Sequence, residues 1–134
     1  MLTGENKISS CRILIVEDCD DQANLLRLLL DSDDHQIEVA GDGVDALEKL
    51  KTFKPSLVIT DLVMPRMDGF ELCAALKNDS SLHDIPVLVL TTQGEIKDVL
   101  NALQAGANFY FTKPFDRQFL RDWVSLFCSQ ARSR

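Results

Sequence analysis

Short apolar runs alternate with longer amphipathic segments along this chain of 134 residues. Each run is too short for a globular helix and is bounded by turn-forming or charged residues, which is typical of buried β-strands. Because the runs are apolar at nearly every position, we expect both faces of each strand to be covered. The pattern predicts five strands, at Arg12–Val16, Ile37–Ala40, Leu57–Thr60, Val87–Leu90 and Phe109–Phe111.

The segments between these runs place apolar residues at helical spacing. The first four stripes are Leu25, Leu26, Leu29 and Leu30; Val44, Leu47, Leu50 and Phe53; Phe70, Leu72, Cys73 and Leu76; and Val99, Leu100 and Leu103. The third helix is expected to begin after Asp68 as its N-cap, and the fourth to end near Gly106. A fifth helix is expected after the N-cap Asp116, running to about Gln130.

Five strands that alternate with five helices predict a doubly wound parallel sheet with helices on both faces, a three-layer α/β/α fold. No repeat, low-complexity tract or linker follows residue 10, so a single domain is expected over residues 11–130. Residues 1–10 would form a polar N-terminal segment, and residues 131–134 a short tail. Ligands of such sheets bind beyond the carboxyl ends of the strands, so a functional site is expected among the residues found there.

Chemically active side chains follow four of the five predicted strands. Each has an ordinary alternative role as a helix-terminal charge, a turn residue or a surface group. Their joint placement nevertheless predicts one site at the carboxyl edge of the sheet. The residues are Glu17 and Asp18 after the first strand, Asp61 after the third, Thr91 at the end of the fourth and Lys113 after the fifth.

Three neighbouring carboxylates repel one another, so either one of them is protonated or a cation lies among them. An all-oxygen site with few protein ligands suits Mg²⁺, which keeps several waters and takes phosphate oxygens of a substrate. The main-chain carbonyl of Val63 is a further potential ligand. With Mg²⁺ and Lys113 to offset charge, Asp61 can be the nucleophilic acceptor in phosphoryl transfer. The Thr91 hydroxyl can then bind a phosphoryl oxygen.

The order and spacing of five motifs resemble the receiver domain of bacterial two-component response regulators. The motifs are ILIVED, DGVDAL, VITDLVMPRMDG, PVLVLTT and QAGANFYFTKPF. The resemblance implies a flavodoxin-like sheet of strand order 2-1-3-4-5. It also implies a phosphorelay, in which a sensor histidine kinase or phosphotransfer protein passes phosphate from a phosphohistidine to Asp61. Such a domain is a signalling module rather than an enzyme, limited to its own phosphoryl transfer and autodephosphorylation.

Carried over residue by residue, the resemblance implies a role for each member of the edge. Thr91 would hydrogen-bond the phosphoryl group and form a switch with Tyr110. Lys113 would pair with the phosphoryl group and precede a cis peptide bond to Pro114. Glu17 stands where the family often has Asp, which adds one methylene of reach. The implied magnesium ligands are Glu17, Asp18, Asp61 and the Val63 carbonyl.

The last predicted helix carries two apolar stripes. Leu120, Val124 and Phe127 form the first stripe. Phe119, Trp123 and Leu126 form the second, which is rotated from the first by about 100°. A helix lying on a sheet buries one face, so the second stripe is expected to be partly exposed or covered by a partner. By resemblance it contributes to a face, built with the fourth helix and fifth strand, for a homodimer or an output partner. The expected interface residues are Val99, Leu103, Tyr110, Phe119, Trp123 and Leu126.

Composition narrows the function classes further. The hydrophobic fraction of 46% and the charged fraction of 26% are those of a globular protein. The net charge of −7 predicts no direct nucleic-acid binding. Since no signal peptide and no run of membrane-spanning length is seen, we expect a cytoplasmic location without membrane contact. The four cysteines show no metal-ligand spacing and are expected to be thiols, and His35 and His83 are expected to be solvated.

Two other classes that share features with this pattern fit less well. A flavodoxin-type FMN protein needs a hydroxyl- and glycine-rich loop after the first strand, where this chain has EDCDD. A haloacid-dehalogenase-type phosphatase needs a second Asp two residues after the nucleophile, where this chain has Val63. A receiver that only binds partners is disfavoured because every phosphorylation residue is present. A stand-alone regulator and a module of a longer protein both fit, and the kinase, signal and phosphate lifetime stay open.

Overall fold

The structure, a computed structural model, describes residues 11–31 and 35–132. The predicted N-terminal segment 1–10 lies outside the described residues, as do 133–134 of the predicted tail. The strands are β1 (Arg12–Val16), β2 (Gln36–Ala40), β3 (Leu57–Thr60), β4 (Val87–Thr91) and β5 (Phe109–Thr112). The helices are α1 (Asp20–Asp31), α2 (Gly43–Lys49), α3 (Gly69–Lys77), α4 (Ile96–Ala105) and α5 (Arg117–Arg132).

The five strands form one parallel sheet in the order β2-β1-β3-β4-β5. Ile15 of β1 lies beside Val39 of β2 on one side and Ile59 of β3 on the other. The strand order reverses at β1 and β3, so the crevice beyond their carboxyl ends is the topological switch point. The predicted fold and strand order are confirmed, and every predicted strand is present with its ends shifted by at most one residue.

Two apolar cores hold the helices on opposite faces of the sheet. Alternate strand residues such as Leu14 and Val58 pack in one cluster with residues of α2, α3 and α4. Their neighbours Ile13 and Leu57 pack in the other cluster with residues of α1 and α5. Burying each large aliphatic side chain contributes about 1.5–3 kcal/mol, so the two cores fix the sheet against which the loops are built.

Two of the predicted helix starts are formed by aspartate caps. The Asp68 carboxylate accepts a hydrogen bond from the N–H of Glu71 (2.9 Å), and the Glu71 carboxylate accepts one from the N–H of Asp68 (3.1 Å). The Asp116 carboxylate accepts a hydrogen bond from the N–H of Phe119 at 2.8 Å. Helix α5 continues to Arg132, two residues beyond its predicted end. Among the helices described, none has the length and apolar character that a bilayer crossing requires.

The predicted apolar stripe of α4 lies largely at the surface, and an exposed position was expected for Leu103. Leu100 and Leu103 are 57% and 44% exposed, whereas Ala102 is completely buried. Helix α4 therefore approaches the core through a small residue, and the larger leucines beside it point outward. Sequence patterning gave the leucines most weight because they are larger, although burial here follows the closest approach of the helix.

The expectation that Cys11 and Cys128 are thiols and that His35 is solvated is also wrong. Cys11 and Cys128 form a disulfide with their Cα atoms 5.6 Å apart, although they are separated by 117 residues in the sequence. His35 is 3% exposed, and its Nδ1 accepts a hydrogen bond from the backbone N–H of Cys11 at 3.0 Å. The parallel topology brings the starts of β1 and β2 together there. His83 is exposed as predicted and pairs with Asp84.

Candidate functional site

The switch point holds two carboxylates that continue the central strands. The N–H of Glu17 donates to the carbonyl of Ala40 at 2.9 Å, and the N–H of Asp61 donates to the carbonyl of Val16 at 3.1 Å. These backbone bonds extend the ladders of β1 and β3 by one step beyond each strand. The side chains of both acids consequently leave the sheet at the same crevice, with 4% and 14% of their surface exposed.

Lys113 joins these two carboxylates. Its Nζ lies 3.0 Å from Oε1 of Glu17 and 3.3 Å from Oδ2 of Asp61. Its backbone N–H donates to the carbonyl of Thr91 at 2.8 Å, which fixes the residue beside β4. The Lys113–Pro114 peptide bond is cis. Residues from β1, β3, β4 and β5 thus meet at one point, as the sequence predicts.

The two oxygens of Asp61 have different surroundings. Oδ1 accepts hydrogen bonds from the N–H of Leu62 at 2.6 Å and of Val63 at 3.4 Å. Oδ2 faces Lys113. The loop that supplies the N–H groups is held by Gly69, whose own N–H donates to the carbonyl of Leu62 at 2.9 Å. The carboxylate is therefore fixed in orientation by its own loop, with one oxygen directed to the cation.

Burial of Glu17 is the dominant electrostatic effect in the crevice. It raises the pKa of the Glu17 carboxyl above its usual value, while the hydrogen bond from Lys113 acts in the opposite direction. The negative charge of Asp61 raises this pKa further. One lysine is insufficient to offset both acids, because burial disfavours the charged form and like charges repel. An additional cation with a preference for oxygen ligands fits this set of donors.

Asp18 and Val63 lie in the two loops that begin at Glu17 and Asp61. Asp18 is exposed and follows the buried Glu17 directly in the chain. Val63 is 61% exposed and lies two residues after Asp61. The N–H of Val63 donates to Oδ1 of Asp61 at 3.4 Å, which ties this residue to the crevice. The donor set predicted for Mg²⁺ is therefore two shielded carboxylates, one exposed carboxylate and one loop carbonyl.

The two predicted switch residues are connected through Gln93. Thr91 is completely buried, and its hydroxyl oxygen accepts a hydrogen bond from the N–H of Gln93 at 3.3 Å. Tyr110 is half-buried, and its hydroxyl donates to the carbonyl of Gln93. Desolvation raises the pKa of Tyr110. The loop after β4 therefore links the edge hydroxyl to the aromatic side chain of β5.

The predicted interface residues are divided between exposed and packed positions. Phe119 and Leu126 are 58% and 62% exposed, as expected for the second stripe of α5. Trp123 is half-buried and packs edge-on against Phe109 (centroids 4.7 Å apart) and stacks on Phe127 (5.4 Å). Phe127 was predicted to complete the buried stripe of α5, but it is half-buried. Cys128 is completely buried and completes the stripe instead. Of the remaining predicted interface residues, Leu103 is exposed, and Val99 and Tyr110 are half-buried.

Three residues near the site were missed by the sequence reading. Gln22 of α1 accepts a hydrogen bond from the Lys113 ammonium. Arg66 binds Asp42 through two bonds, Nε to Oδ2 at 2.7 Å and a terminal nitrogen to Oδ1 at 3.1 Å. Asp42 also caps α2, so this pair ties the loop after Asp61 to the start of that helix. The Asp of DGVDAL signals an N-cap, but nothing in the sequence indicates its arginine partner.

A parallel sheet of order 2-1-3-4-5 with two carboxylates and a lysine at its switch point defines a flavodoxin-like α/β domain with an acidic crevice. The chain belongs to the response regulator receiver domain family, whose model matches residues 13–125. It is therefore a receiver domain of the two-component response regulators, with a role in phosphorelay signalling.

Individual relatives agree with this assignment. The chain is similar to the DNA-binding dual master transcriptional regulator RpaA of Synechocystis sp., with 37% identity over 105 residues that make up 78% of this chain and 44% of that protein. It thus spans less than half the length of such relatives.

Two solved receiver domains have the same fold. That of a signal transduction histidine kinase from Syntrophus aciditrophicus matches with a TM-score of 0.84 and 37% identity, covering 90% of this chain and 92% of that one. That of a sensor histidine kinase from Pseudomonas aeruginosa, with magnesium coordinated in its active-site cleft, matches with a TM-score of 0.80 and 25% identity over 89% and 98% of the two chains.

Proposed function

We propose that Asp61 is the phosphoacceptor of this receiver domain and takes its phosphoryl group from a phosphohistidine on a sensor kinase or phosphotransfer protein. The observation that carries the proposal is the position of Asp61 Oδ2, 3.3 Å from the Lys113 ammonium at the switch point. A carboxylate oxygen beside a fixed cation has both the nucleophile and the charge compensation that phosphoryl transfer requires.

The transfer is a balanced exchange of one bond for another. An oxygen of Asp61 attacks phosphorus, a P–O bond forms, and the P–N bond to the donor imidazole breaks with its electron pair returning to the ring. Lys113 already spans Glu17 and Asp61, so its ammonium is close to the charge that gathers on the phosphoryl oxygens. The chain's contribution is positioning and charge stabilisation, which supply most of the catalysis in this chemistry.

A magnesium ion fits the oxygen donors of the crevice. Glu17, Asp18 and Asp61, with the main-chain carbonyl of Val63, are the residues that would hold it. Mg²⁺ in such a site neutralises phosphoryl oxygens and needs few protein ligands. The raised pKa of Glu17 supports this assignment, because burial disfavours the charged carboxylate and Lys113 only partly offsets that effect. The magnesium bound by the similar Pseudomonas receiver is a further support.

The response to phosphorylation would pass through Thr91 and Tyr110. Both are bonded to Gln93, so a movement of the Thr91 hydroxyl toward the phosphoryl group alters the support of the Tyr110 hydroxyl. Tyr110 would then turn inward, which changes the face formed by α4, β5 and α5. This is a shift in population between two packings of the same fold. The module thereby acts as a signalling switch, with no reaction beyond its own phosphorylation and dephosphorylation.

The partners of the complete protein follow from the same proposal. A kinase or phosphotransfer protein would act at the carboxyl edge, and an output partner or a second copy at the α4-β5-α5 face. The absence of direct nucleic-acid binding, proposed from the net charge of −7, applies to this chain alone. The relative from Synechocystis is named as DNA-binding, and the matched region covers 44% of it. A cytoplasmic location is proposed, since the kinase donor reaction requires ATP.

The experiment that tests this function is intact-mass analysis after incubation with acetyl phosphate and Mg²⁺. The wild-type protein should gain one phosphoryl group, and the gain should disappear with time or at alkaline pH. Asp61→Asn should gain none, whereas the matched change Asp84→Asn, at a carboxylate with 94% exposure, should behave as wild type. Equal labelling of Asp61→Asn and wild type would refute the assignment.

A further inference from the structure

The amino edge of the sheet, opposite the phosphoryl site, holds a buried cluster of two sulfurs and an imidazole. Cys11 precedes β1, His35 precedes β2, and Cys128 lies in α5. Their ligating atoms all lie within 4.8 Å of one another, and the residues are 9%, 3% and 0% exposed. We propose that Cys11 and Cys128 are a redox-modification site, a thiol pair that a peroxide converts to the disulfide and a thiol reductant reopens.

The positions that the fold gives the two cysteines suit a disulfide. Their Cα atoms are 5.6 Å apart, within the usual 4.4–6.8 Å range for disulfides. Cys11 is fixed by the start of β1, and Cys128 by a helix whose Leu120 and Val124 are completely buried in the same core. The thiols therefore stay adjacent after reduction, so that the bond can form again without a search by the chain.

His35 gives the pair a chemical environment that buried cysteines usually lack. Its Nδ1 accepts the hydrogen bond from the Cys11 N–H, which fixes the ring beside the sulfurs. Since Nδ1 accepts this bond, the ring is neutral with its proton on Nε2. A polar imidazole beside the sulfurs favours the thiolate more than an apolar wall does, and the thiolate is the reactive form of cysteine. Cys73 provides the contrast within the same chain, because burial in the other apolar core raises the pKa of its thiol to about 11.

The proposed oxidation is balanced with hydrogen peroxide as the oxidant. One thiolate attacks a peroxide oxygen, an S–O bond forms, and the O–O bond breaks to give a sulfenic acid and, after protonation, water. The second sulfur attacks the sulfenic sulfur, the S–S bond forms, and the S–O bond breaks to release a second water. The two sulfurs together lose two electrons and two protons, and the peroxide is reduced to two waters.

Oxidation would act on the last helix and leave the phosphoryl site unchanged. The bond joins the residue before β1 to α5 and closes a loop of 117 residues, a constraint that disfavours the unfolded chain. Helix α5 also carries Phe119 and Leu126 of the proposed output face. The oxidised form should therefore hold this helix more firmly on the sheet. Asp61, at the opposite edge, should accept phosphate in both redox states.

The test uses the complete chain with Cys19→Ser, which removes the exposed thiol that could link two molecules. Reduced and peroxide-treated samples are denatured, alkylated and weighed. Three alkyl groups are expected on the reduced chain and one, on Cys73, after peroxide. The oxidised protein should melt higher by on the order of 10 °C, and dithiothreitol should reverse the change. The same variant carrying Cys128→Ser should show no peroxide-dependent rise in melting temperature.

Because Cys128 is completely buried and its replacement by serine costs stability in either state, the decisive comparison is that of the Cys19→Ser protein before and after peroxide. Three reactive thiols after peroxide, or sulfinic acids without a cross-link, would overturn the proposal. Tight binding of one Zn²⁺ that protects both sulfurs from peroxide would also overturn it, in favour of a metal site. Adding Asp61→Asn should leave the oxidation unchanged, so a failure of the phosphorylation proposal would be recognised separately.

Discussion

The two carboxylates at the switch point are shielded from water and lie close to each other. Glu17 is 4% exposed and shares one lysine with Asp61, so its carboxyl is harder to ionise than in water. A buried charge of this kind destabilises a domain unless it is paired or metal-bound. The presence of two such acids at the crevice is therefore the strongest indication, among the individual residues, that the site has a chemical role.

Magnesium should stabilise the folded protein through these acids. A ligand that binds only the folded state raises the free energy of unfolding by RT ln(1 + [L]/Kd), or about 1.4 kcal/mol at a tenfold excess over Kd. Thermal melts in EDTA and in millimolar Mg²⁺ measure the difference. Asp18→Asn should abolish it and Asp84→Asn should preserve it. Stabilisation that survives in Asp18→Asn would place the metal elsewhere.

The Asp42–Arg66 pair predicts a specific loss of stability in acid. The hydrogen bond from Arg66 lowers the pKa of the Asp42 carboxyl below its usual value in the folded state. A carboxyl with a depressed folded pKa contributes stability above its unfolded pKa, and this contribution is lost as the pH falls through the folded pKa. Arg66→Met should therefore be less stable than wild type at pH 7, with the difference shrinking below about pH 4.

Urea unfolding at several pH values measures that difference. The matched control is Lys51→Met, which removes the ion pair between Lys51 and Glu48. The two side chains are 70% and 67% exposed, so this substitution should change the stability little at any pH. A stability difference between Arg66→Met and wild type that stays constant from pH 7 to pH 3 would contradict the argument.

At the scale of elements, the loop between β3 and α3 depends on close approach of its backbone. A Cβ placed on Gly69 would lie 2.8 Å from the Cα of Leu62 and closer still to the carbonyl oxygen of Asp61. Because backbone atoms of the acceptor loop cannot yield as a flexible side chain can, the loop would have to shift. The first residue of α3 is thus in direct contact with the backbone of Asp61.

Gly69→Ala should destabilise the protein by roughly 1–3 kcal/mol, the usual result of overpacking. It should also slow labelling by acetyl phosphate, since the orientation of Asp61 depends on this loop. Gly41→Ala is the control, because a Cβ there meets no atom within 4 Å, and we expect unchanged or slightly higher stability. Chemical unfolding of the two variants beside wild type gives the comparison. Equal stabilities would show that the loop yields more readily than the geometry indicates.

The elements also show what the sequence can and cannot predict. The strands and the acids after them were predictable, because parallel strands are continuous apolar runs and their carboxyl ends share an edge. The contact of Arg66 with Asp42 was not, since a surface arginine gives no signal of its partner. The Cys11–Cys128 pair depends on where the last helix docks, and α4 was misread because Ala102 is too small to dominate a pattern.

The whole molecule presents an apolar surface on α5 whose role is tested by association. Phe119 and Leu126 are largely exposed, and Trp123, which lies between them on the helix, is half-buried and packs against Phe109. Exposed apolar groups with a central tryptophan are typical of interfaces. We predict that beryllofluoride, which imitates the aspartyl phosphate, strengthens self-association through this face.

Sedimentation of wild type and Trp123→Lys, with and without beryllofluoride and Mg²⁺, measures the effect. Wild type should shift toward dimer on activation, and Trp123→Lys should stay monomeric. Leu28→Lys, at a leucine on α1 with 72% exposure, should behave as wild type. A wild-type protein that remains monomeric in both states at high concentration would exclude the dimer and leave the face to an output partner.

Borohydride trapping tests directly whether the carboxylate at the switch point carries the phosphate. The protein is phosphorylated with acetyl phosphate and Mg²⁺, reduced with borohydride, which converts an aspartyl phosphate to homoserine, and mapped by peptide mass spectrometry. We expect homoserine at position 61 and at no other aspartate, and no reduced glutamate. Homoserine at a different aspartate, or an unreduced phosphoryl group on a serine, threonine or histidine, would contradict it.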